Sequence, residues 1–200
     1  MALSGGRTPE ALFRLLDAGL PWDRTDVFWV DERYVPHGHP ESNFRMAKEL
    51  LLDRVPVPAG NIHPMPTGSG DPARDAAAYE ELLRKTLTDP KRTFDFTLLG
   101  LGEDGHTASL FPGGPELVER ERWVAVSRSP KGIPDRLTLT VPALTRSALK
   151  VLLVCGQEKA AVLRRMVHEH AQPPALPAQY IKGAVVIADE AACSALKDRG

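Results

Sequence analysis

Leu98-Leu99-Gly100-Leu101-Gly102-Glu103-Asp104-Gly105-His106-Thr107 is the stretch that decides the fold. It completes an apolar run, residues 94–101, that is typical of a buried strand. Three glycines then predict a sharp turn that sets Asp104 and His106 two residues apart. Thr107 is suited to cap a short helix, which Pro112 would end. A strand, a polar turn and a helix in this order predict the carboxyl edge of an open α/β sheet, where ligands bind.

The same stretch also matches the Gly-x-Gly-x-x-Gly pattern of dinucleotide-binding loops. In those loops, bare backbone N–H groups approach a pyrophosphate at a helix N-terminus. Here the carboxylates of Glu103 and Asp104 would repel a diphosphate, and the helix before Pro112 is too short for an ordinary crossover. An Asp-x-His pair suits acid–base chemistry better, because the carboxylate can orient an imidazole that exchanges protons near neutral pH.

Length and composition exclude several classes of protein. The 200 residues suffice for a sizeable core, and we expect a single domain over residues 1–200. Because the net charge is −1 and no basic block occurs, nucleic acid is not an expected partner. No apolar run approaches the roughly 20 residues of a membrane span, and the N-terminus lacks a signal-peptide pattern. Cys155 and Cys193 give no disulfide framework, which favours a reducing, cytoplasmic compartment.

Ser4-Gly5-Gly6-Arg7-Thr8-Pro9 is a second candidate site. Its glycine turn precedes Thr8, a plausible helix cap, and Pro9 suits the first helical position. The helix is expected to end at Gly19 and to bury Leu15 among its apolar residues. Free N–H groups, hydroxyls and the positive end of the helix dipole would form an anion cradle. A helix that is merely well capped is the alternative.

Asp31-Glu32-Arg33-Tyr34-Val35-Pro36 follows a short apolar strand at residues 26–30. Charged residues just beyond the carboxyl end of a strand are functional candidates in this architecture, and a solvated loop is the alternative. His37 and His39 follow in a polar loop. No third ligand at a recognisable spacing accompanies them, so we expect no metal.

Strand and helix patterns alternate along the rest of the chain. Strands are predicted at residues 123–126, 137–141, 150–155 and 184–188, and helices over 43–52, 71–88, 156–170 and beyond Asp189, with a break at 173–177. This alternation predicts an α/β, Rossmann-like fold: a mainly parallel sheet with helices on both faces. Leu3-Ser4 resembles the end of a strand, so we expect an N-terminal strand–helix unit to be missing.

Four segments carry a resemblance to a known family. They are residues 3–9, residues 31–36 with Ser42-Asn43, residues 100–112, and residues 135–140. In order and spacing the chain resembles the 6-phosphogluconolactonases of the glucosamine-6-phosphate isomerase/deaminase superfamily. The resemblance implies a Rossmann-like fold without a nucleotide or other cofactor. It also implies hydrolysis of 6-phospho-D-glucono-1,5-lactone to 6-phosphogluconate in the pentose phosphate pathway.

The deaminases of the same superfamily are the first alternative. They follow the shared Gly-x-Asp-Gly-His core with Ile-Ala-Phe-Asn-Glu, whose glutamate assists sugar-ring opening. This chain has the apolar Phe111 at that place, and Asp31-Glu32-Arg33 where the deaminases tend to carry Asp-Glu-Tyr. Both differences favour the lactonase. A non-catalytic sugar-phosphate sensor is the other alternative, and the Asp104–His106 pair argues against it.

Lactone hydrolysis needs a positioned water, a base, support for an oxyanion and a proton for the leaving ring oxygen. We expect His106 to act as base and then as acid, with Asp104 orienting it or holding sugar hydroxyls. N–H groups of the glycine turn, or Arg33, could support the oxyanion, a term worth roughly 3–4 kcal/mol per donor. A nucleophilic Ser109 is the competing scheme.

The phosphate tail of such a substrate needs a dianion site. The Ser4–Thr8 loop supplies N–H groups and hydroxyls, and Arg136 can make a bidentate contact. Lys159 matches the phosphate-binding lysine that the resemblance implies. The predicted catalytic residues are His106, Asp104 and Arg33; the predicted binding residues are Ser4, Gly5, Gly6, Arg7, Thr8, Asp31, Arg136 and Lys159. The expected partner is a small phosphorylated sugar lactone, bound by a monomer or small homo-oligomer.

Overall fold

Two β-sheets and five α-helices make up the computed structural model, which describes residues 1–169 and 176–196. The strands are β1 (Ala2–Leu3), β2 (Val27–Trp29), β3 (Asp31–Arg33), β4 (Ile62–His63), β5 (Phe96–Gly100), β6 (Val124–Arg128), β7 (Asp135–Leu139), β8 (Leu149–Val154) and β9 (Val185–Ala188). The helices are α1 (Arg7–Leu15), α2 (Asn43–Leu50), α3 (Pro72–Thr86), α4 (Val141–Thr145) and α5 (Ala160–His168).

The larger sheet is parallel throughout, in the order β4-β2-β1-β5-β8-β9. β1 lies near its centre, where Ala2 pairs with both Phe28 and Thr97. All three residues of β2 are fully buried, so both faces of the sheet are covered there. The α/β fold with a mainly parallel sheet is therefore confirmed.

The smaller sheet is antiparallel, in the order β3-β7-β6. Strands near 123–126 and 137–141 were predicted correctly, but not as members of a separate sheet. The segment that begins at Asp31 is a strand and not the loop that was the alternative reading; Arg33 stands opposite Arg136. Side-chain periodicity shows that a segment is extended, but not which strand it pairs with.

Helix α1 departs from the prediction at both ends. It begins at Arg7, after Gly6 at φ 92°, so Thr8 is not its cap. Glycine adopts this backbone conformation without strain, and the helix begins two residues before the predicted first position, Pro9. The helix ends at Leu15 rather than Gly19, because Leu16 is already extended. Leu15 is 79% exposed, so its predicted burial was wrong.

Helix α3 forms as predicted. The carboxylate of Asp71 accepts hydrogen bonds from Ala73 N and Arg74 N, and Pro72 occupies the first helical position. Farther along, α5 ends at His168, and residues 170–175, including most of the predicted break, lie outside the described residues. After Asp189 the described chain forms turns and a short 3₁₀ helix, Ser194–Leu196, instead of an α-helix.

The short helix predicted after Thr107 does not form. Thr107 and Leu110 instead close a tight turn, with Leu110 N donating to Thr107 O at 3.0 Å and Ala108 at φ 50°. Ser109 is buried, and its backbone N donates to Thr138 Oγ1 on β7. This long-range contact holds the turn, and local helix propensity is too weak in so short a segment to oppose it. In residues 1–169 and 176–196, no helix combines the length and apolar character that crossing a bilayer requires.

Candidate active site

A cleft of about 520 Å³ lies at the carboxyl ends of the parallel strands. Chain directions in a parallel sheet coincide, so the loops that follow β1, β5, β8 and β9 converge there. Its walls are formed by Ser4, Gly5, Gly6, Arg7, Thr8, Pro9, Asp31, Arg33, Asn43, Gly100, Leu101, Gly102, His106, Ala108, Cys155, Gly156, Glu158, Lys159 and Asp189. The cleft thus brings together nine of the eleven residues that the sequence predicted for the site; Asp104 and Arg136 are the two outside its walls.

Asp104 and His106 form a hydrogen-bonded pair on the turn after β5. The His106 Nδ1 lies 2.6 Å from Asp104 Oδ1, and the backbone N of His106 donates to the same oxygen at 3.1 Å. Gly105, at φ 86°, closes the turn by donating its N–H to Gly102 O. An ionised carboxylate only accepts, so Nδ1 carries the proton and Nε2 is left as the basic nitrogen.

Asp104 remains ionised in this arrangement. Its partial burial acts to raise its pKa, but the hydrogen bond and charge of His106 outweigh that effect and lower the pKa to about 2. Asp104 therefore carries its negative charge across the pH range in which imidazole groups exchange protons.

Phe111 packs against the other side of the pair. Its ring centroid lies 4.8 Å from that of His106, and the side chain is buried. The residue that replaces the glutamate of the deaminase motif thus restricts the imidazole by packing and offers no group for proton transfer.

The two candidate oxyanion supports differ in the hydrogen bonds that they already make. The N–H groups of Gly102 and Gly105 already donate within the turn, to His106 O and Gly102 O. Arg33 lines the cleft, and its Nη1 donates to Glu41 O at 2.6 Å, which leaves further guanidinium donors.

Ser109 is hydrogen-bonded to a carboxylate and does not have the environment of a nucleophile. It is 2% exposed, it does not line the cleft, and its hydroxyl donates to Asp31 Oδ2 at 2.6 Å. The other oxygen of Asp31 accepts from Asn43 Nδ2 at 3.3 Å. Asp31 therefore lines the cleft while it ties the Thr107–Leu110 turn to helix α2.

The predicted anion cradle is built around the start of α1. Ser4 is 5% exposed, and its buried Oγ has no hydrogen-bond partner. No side chain caps α1, so the N–H groups of its first turn remain available to an anion. Gly5 packs on Asn43 so closely that an added Cβ would lie 1.8 Å from Asn43 Oδ1. The backbone of the cradle is therefore seated directly on α2.

The two cations predicted for the phosphate occupy different positions. Lys159 lines the cleft beside the cradle residues, whereas Arg136 does not. Arg136 is 7% exposed; burial lowers its pKa, and the charge of neighbouring Arg33 adds to that effect. Arg136 thus stands next to Arg33, and a direct contact between Arg136 and phosphate stays a prediction.

Sequence reasoning missed several residues of the cleft, notably Cys155, Glu158 and Asp189. Burial raises the pKa of Cys155, and the charge of Asp189 adds to the shift, so the thiol stays protonated and is a poor nucleophile. Asp189 directly follows β9, and its position after a predicted strand is the signal that could have found it.

The histidines of the polar loop make protein contacts. His37 Nε2 lies 2.8 Å from Met65 O, and His39 Nδ1 accepts from Glu41 N at 3.1 Å. In the part of the chain that the structure describes, no three His, Cys, Asp or Glu residues are grouped so as to hold a metal ion.

Gly102→Ala is expected to displace the imidazole. A Cβ at this position would lie 2.1 Å from His106 Nδ1 and 2.7 Å from Asp104 Oδ1, so the pair must move apart. A displacement of about 1 Å lowers turnover by roughly 100-fold, which steady-state kinetics on the variant would measure. Gly60→Ala is the control, since nothing lies within 4 Å of its added Cβ. Turnover of Gly102→Ala equal to that of the control would contradict the assigned geometry.

Comparison with known proteins gives consistent matches. The sequence model of a family described as glucosamine-6-phosphate isomerases/6-phosphogluconolactonase matches residues 1–188. A 6-phosphogluconolactonase of Synechocystis sp. is 45% identical over 186 residues, covering 91% of this chain and 77% of the relative. One from Nostoc sp. is 41% identical over 186 residues with the same two coverages. The crystal structure of 6-phosphogluconolactonase from Thermotoga maritima superposes with a TM-score of 0.81 at 33% identity, over 94% of this chain and 83% of that one.

Proposed function

The chain belongs to the glucosamine-6-phosphate isomerase/6-phosphogluconolactonase family, and we propose that it hydrolyses 6-phospho-D-glucono-1,5-lactone to 6-phosphogluconate. The observation that carries the proposal is one cleft lined by two chemically different groups. The first is His106, which Asp104 holds by a hydrogen bond and whose Nε2 is left as a base. The second is the uncapped N-terminus of α1 together with Lys159. An ester with a phosphate tail matches both groups.

Phosphate binding comes first in the proposed mechanism. N–H groups at the start of α1, the hydroxyls of Ser4 and Thr8, and the ammonium of Lys159 hold the dianion. The unpartnered buried Oγ of Ser4 supports this role, because a buried hydroxyl without a partner is otherwise costly. Binding at this remote group fixes the lactone carbonyl against His106 and a water molecule.

Proton transfer by His106 then drives hydrolysis. Its Nε2 takes a proton from the water while the oxygen of that water bonds to C1, and negative charge develops on the carbonyl oxygen beside Arg33. When the tetrahedral intermediate collapses, the bond from C1 to the ring oxygen breaks. The imidazolium returns its proton to that oxygen, so water is consumed and the open-chain acid is formed. Asp104, ionised throughout, stabilises the transient imidazolium.

A coupled assay tests the proposed function. The lactone is supplied fresh, 6-phosphogluconate is detected by its dehydrogenase and NADP⁺, and the rate of spontaneous hydrolysis is subtracted. We expect lactone turnover above background and no ammonia release from glucosamine 6-phosphate, since Phe111 cannot replace the ring-opening glutamate. Ammonia release would favour the deaminase, and 6-phosphogluconate binding without turnover would favour the sensor.

Lys159→Ala is expected to raise KM for the phosphorylated lactone by about 10- to 100-fold, which corresponds to the loss of one charge-assisted hydrogen bond. We expect kcat to change little, because the side chain contacts the phosphate and not the reacting carbon. Initial rates over a range of lactone concentrations measure both constants. Lys85→Ala, on the exposed side of α3, is the matched control. A KM equal to that of this control would remove Lys159 from the binding site.

The proposal also covers the domain organisation, the binding partner and the cellular compartment. Residues 1–200 act as one domain, and the family match over residues 1–188 supports this. The partner is the small phosphorylated sugar lactone, bound by a monomer or small homo-oligomer without nucleic acid or membrane. Cys155 and Cys193 are both free thiols, which suits a reducing, cytoplasmic compartment.

A further inference from the structure

Asp189 lies where a carboxylate is electrostatically unfavourable. It lines the same cleft as Lys159 and the start of α1, the elements proposed to hold a phosphate dianion. Glu158, next to Lys159 in the chain, adds a second carboxylate to the cleft lining. Like charges close to a bound dianion weaken its binding, so an acid at this place needs another role to explain it.

The contacts of Asp189 point to that role. Both carboxylate oxygens accept from Gly156 N, at 3.1 Å for Oδ1 and 3.0 Å for Oδ2, and Oδ1 also accepts from Ala192 N at 2.7 Å. The backbone N of Asp189 donates to Val154 O, the last residue of β8. Asp189 therefore joins the end of β9 to the turn that follows β8.

That turn carries Lys159. Gly156 stands at φ 103°, a conformation that residues with a Cβ rarely adopt, and its carbonyl accepts from Lys159 N at 3.0 Å. Residues 157–159 form a single 3₁₀ turn, so the direction of the Lys159 side chain depends on how Gly156 is held. The hydrogen bonds to Asp189 hold the N–H of this glycine, and its carbonyl starts the turn.

We propose that Asp189 is a positioning residue, which fixes the Gly156–Lys159 turn so that the Lys159 ammonium faces the substrate phosphate. The inference rests on the proposed function, because it assigns the phosphate to Lys159 and the start of α1. Asp189 touches neither the reacting carbon nor the phosphate; it acts through the backbone of Gly156. A side chain that must meet a ligand within about 0.5 Å requires support of this kind.

The direction in which KM changes in Asp189 variants distinguishes a positioning role from a purely electrostatic one. Charge alone predicts that loss of a carboxylate tightens phosphate binding and lowers KM. Positioning predicts that Asp189→Ala raises KM for the phosphorylated lactone by about tenfold, the equivalent of one misplaced charge-assisted hydrogen bond, with little change in kcat. Asp189→Asn retains one acceptor oxygen, so its KM should lie between those of wild type and Asp189→Ala.

Glu158→Gln is the matched comparison. It removes the same charge from the cleft lining, but Glu158 is exposed and its carboxylate does not hold the N–H of Gly156. We expect this variant to lower KM. Thermal unfolding of each variant checks that it is folded. If Asp189→Ala does not fold, the Asp189→Asn variant, whose side chain has the same shape as that of Asp189, carries the test.

Calorimetric titration with 6-phosphogluconate gives a readout that does not depend on turnover. The Kd is expected to rise in parallel with KM for both Asp189 variants. A KM and Kd that fall, or stay at the wild-type values, in Asp189→Ala and Asp189→Asn would overturn the proposal, as would a loss confined to kcat. Absence of lactone turnover in the wild type would instead refute the proposed function, and the titration would still measure the effect of Asp189 on binding.

Discussion

His106→Ala is expected to lower kcat by about 1,000-fold, leaving the rate close to that of the spontaneous reaction. The variant loses the only side chain of the Asp104–His106 pair that can take a proton from water and return it to the ring oxygen. The coupled lactonase assay measures the loss, with spontaneous hydrolysis subtracted at each pH. Binding of 6-phosphogluconate should stay within a few-fold of wild type, because the anion cradle and Lys159, which are proposed to hold the phosphate, are unchanged.

The pH dependence of the wild type offers a check on the same assignment. Asp104, with its pKa of about 2, keeps its negative charge between about pH 5 and 8. A fall in kcat towards the acidic side of that range therefore cannot come from protonation of Asp104. His168→Ala, at the exposed end of α5, is the control substitution. Near-normal turnover in His106→Ala would eliminate His106 as the base.

Glu32→Ala is expected to cost about 3–5 kcal/mol of unfolding free energy. The side chain is fully buried, and its carboxylate accepts from Arg33 N, Asn43 N and Phe44 N at 2.7–2.8 Å and from Ser42 Oγ at 3.1 Å. The variant leaves these four donors, three of them at the N-terminus of α2 and one on β3, without their acceptor and opens a cavity. Urea denaturation measures the difference. Glu81→Ala, exposed on α3, should change stability by less than about 0.5 kcal/mol.

Glu32→Gln allows a pH test of the same contact. Burial raises the pKa of Glu32, against the lowering effect of its backbone hydrogen bonds. A carboxyl group whose pKa is raised on folding contributes its full stability below the unfolded value of 4.5 and loses it as pH rises through the folded value. The wild type's advantage over Glu32→Gln should therefore shrink as pH rises through this window. An advantage that grows instead would contradict the buried, desolvated environment assigned to Glu32.

Much of the fold could be predicted from local patterns. The apolar run before Gly100, the alternation of strand and helix signals, and the cap at Asp71 all depend on residues close together in the chain. The predicted helix after Thr107 failed because Ser109 is held by Thr138 and Asp31, partners 29 and 78 residues away in sequence. The antiparallel sheet of β3, β6 and β7 was missed for the same reason.

The candidate site divides in a similar way. The glycine turns, the Asp-x-His pair and the loop at residues 4–9 are contiguous motifs, and the cleft brings them together. Glu32 was counted among charged candidates, yet its burial makes it an anchor for α2. Asp189 was predicted only as a helix cap and not as a site residue, since its link to Gly156 spans 33 residues. Arg136 lies buried beside Arg33 and outside the cleft walls, so its predicted contact with phosphate stays a prediction.

The sequence by itself determined the alternation that builds a parallel sheet, the turn conformations that glycine permits and the spacing of Asp104 and His106. These depend on backbone sterics and on atoms a few bonds apart, which every copy of the sequence shares. Only the tertiary structure decided which strands pair, which carboxylates are buried and which cations reach the cleft. These properties arise when distant segments pack together and exclude water. The free energy of that packing depends on contacts between segments, so no local stretch of sequence contains it.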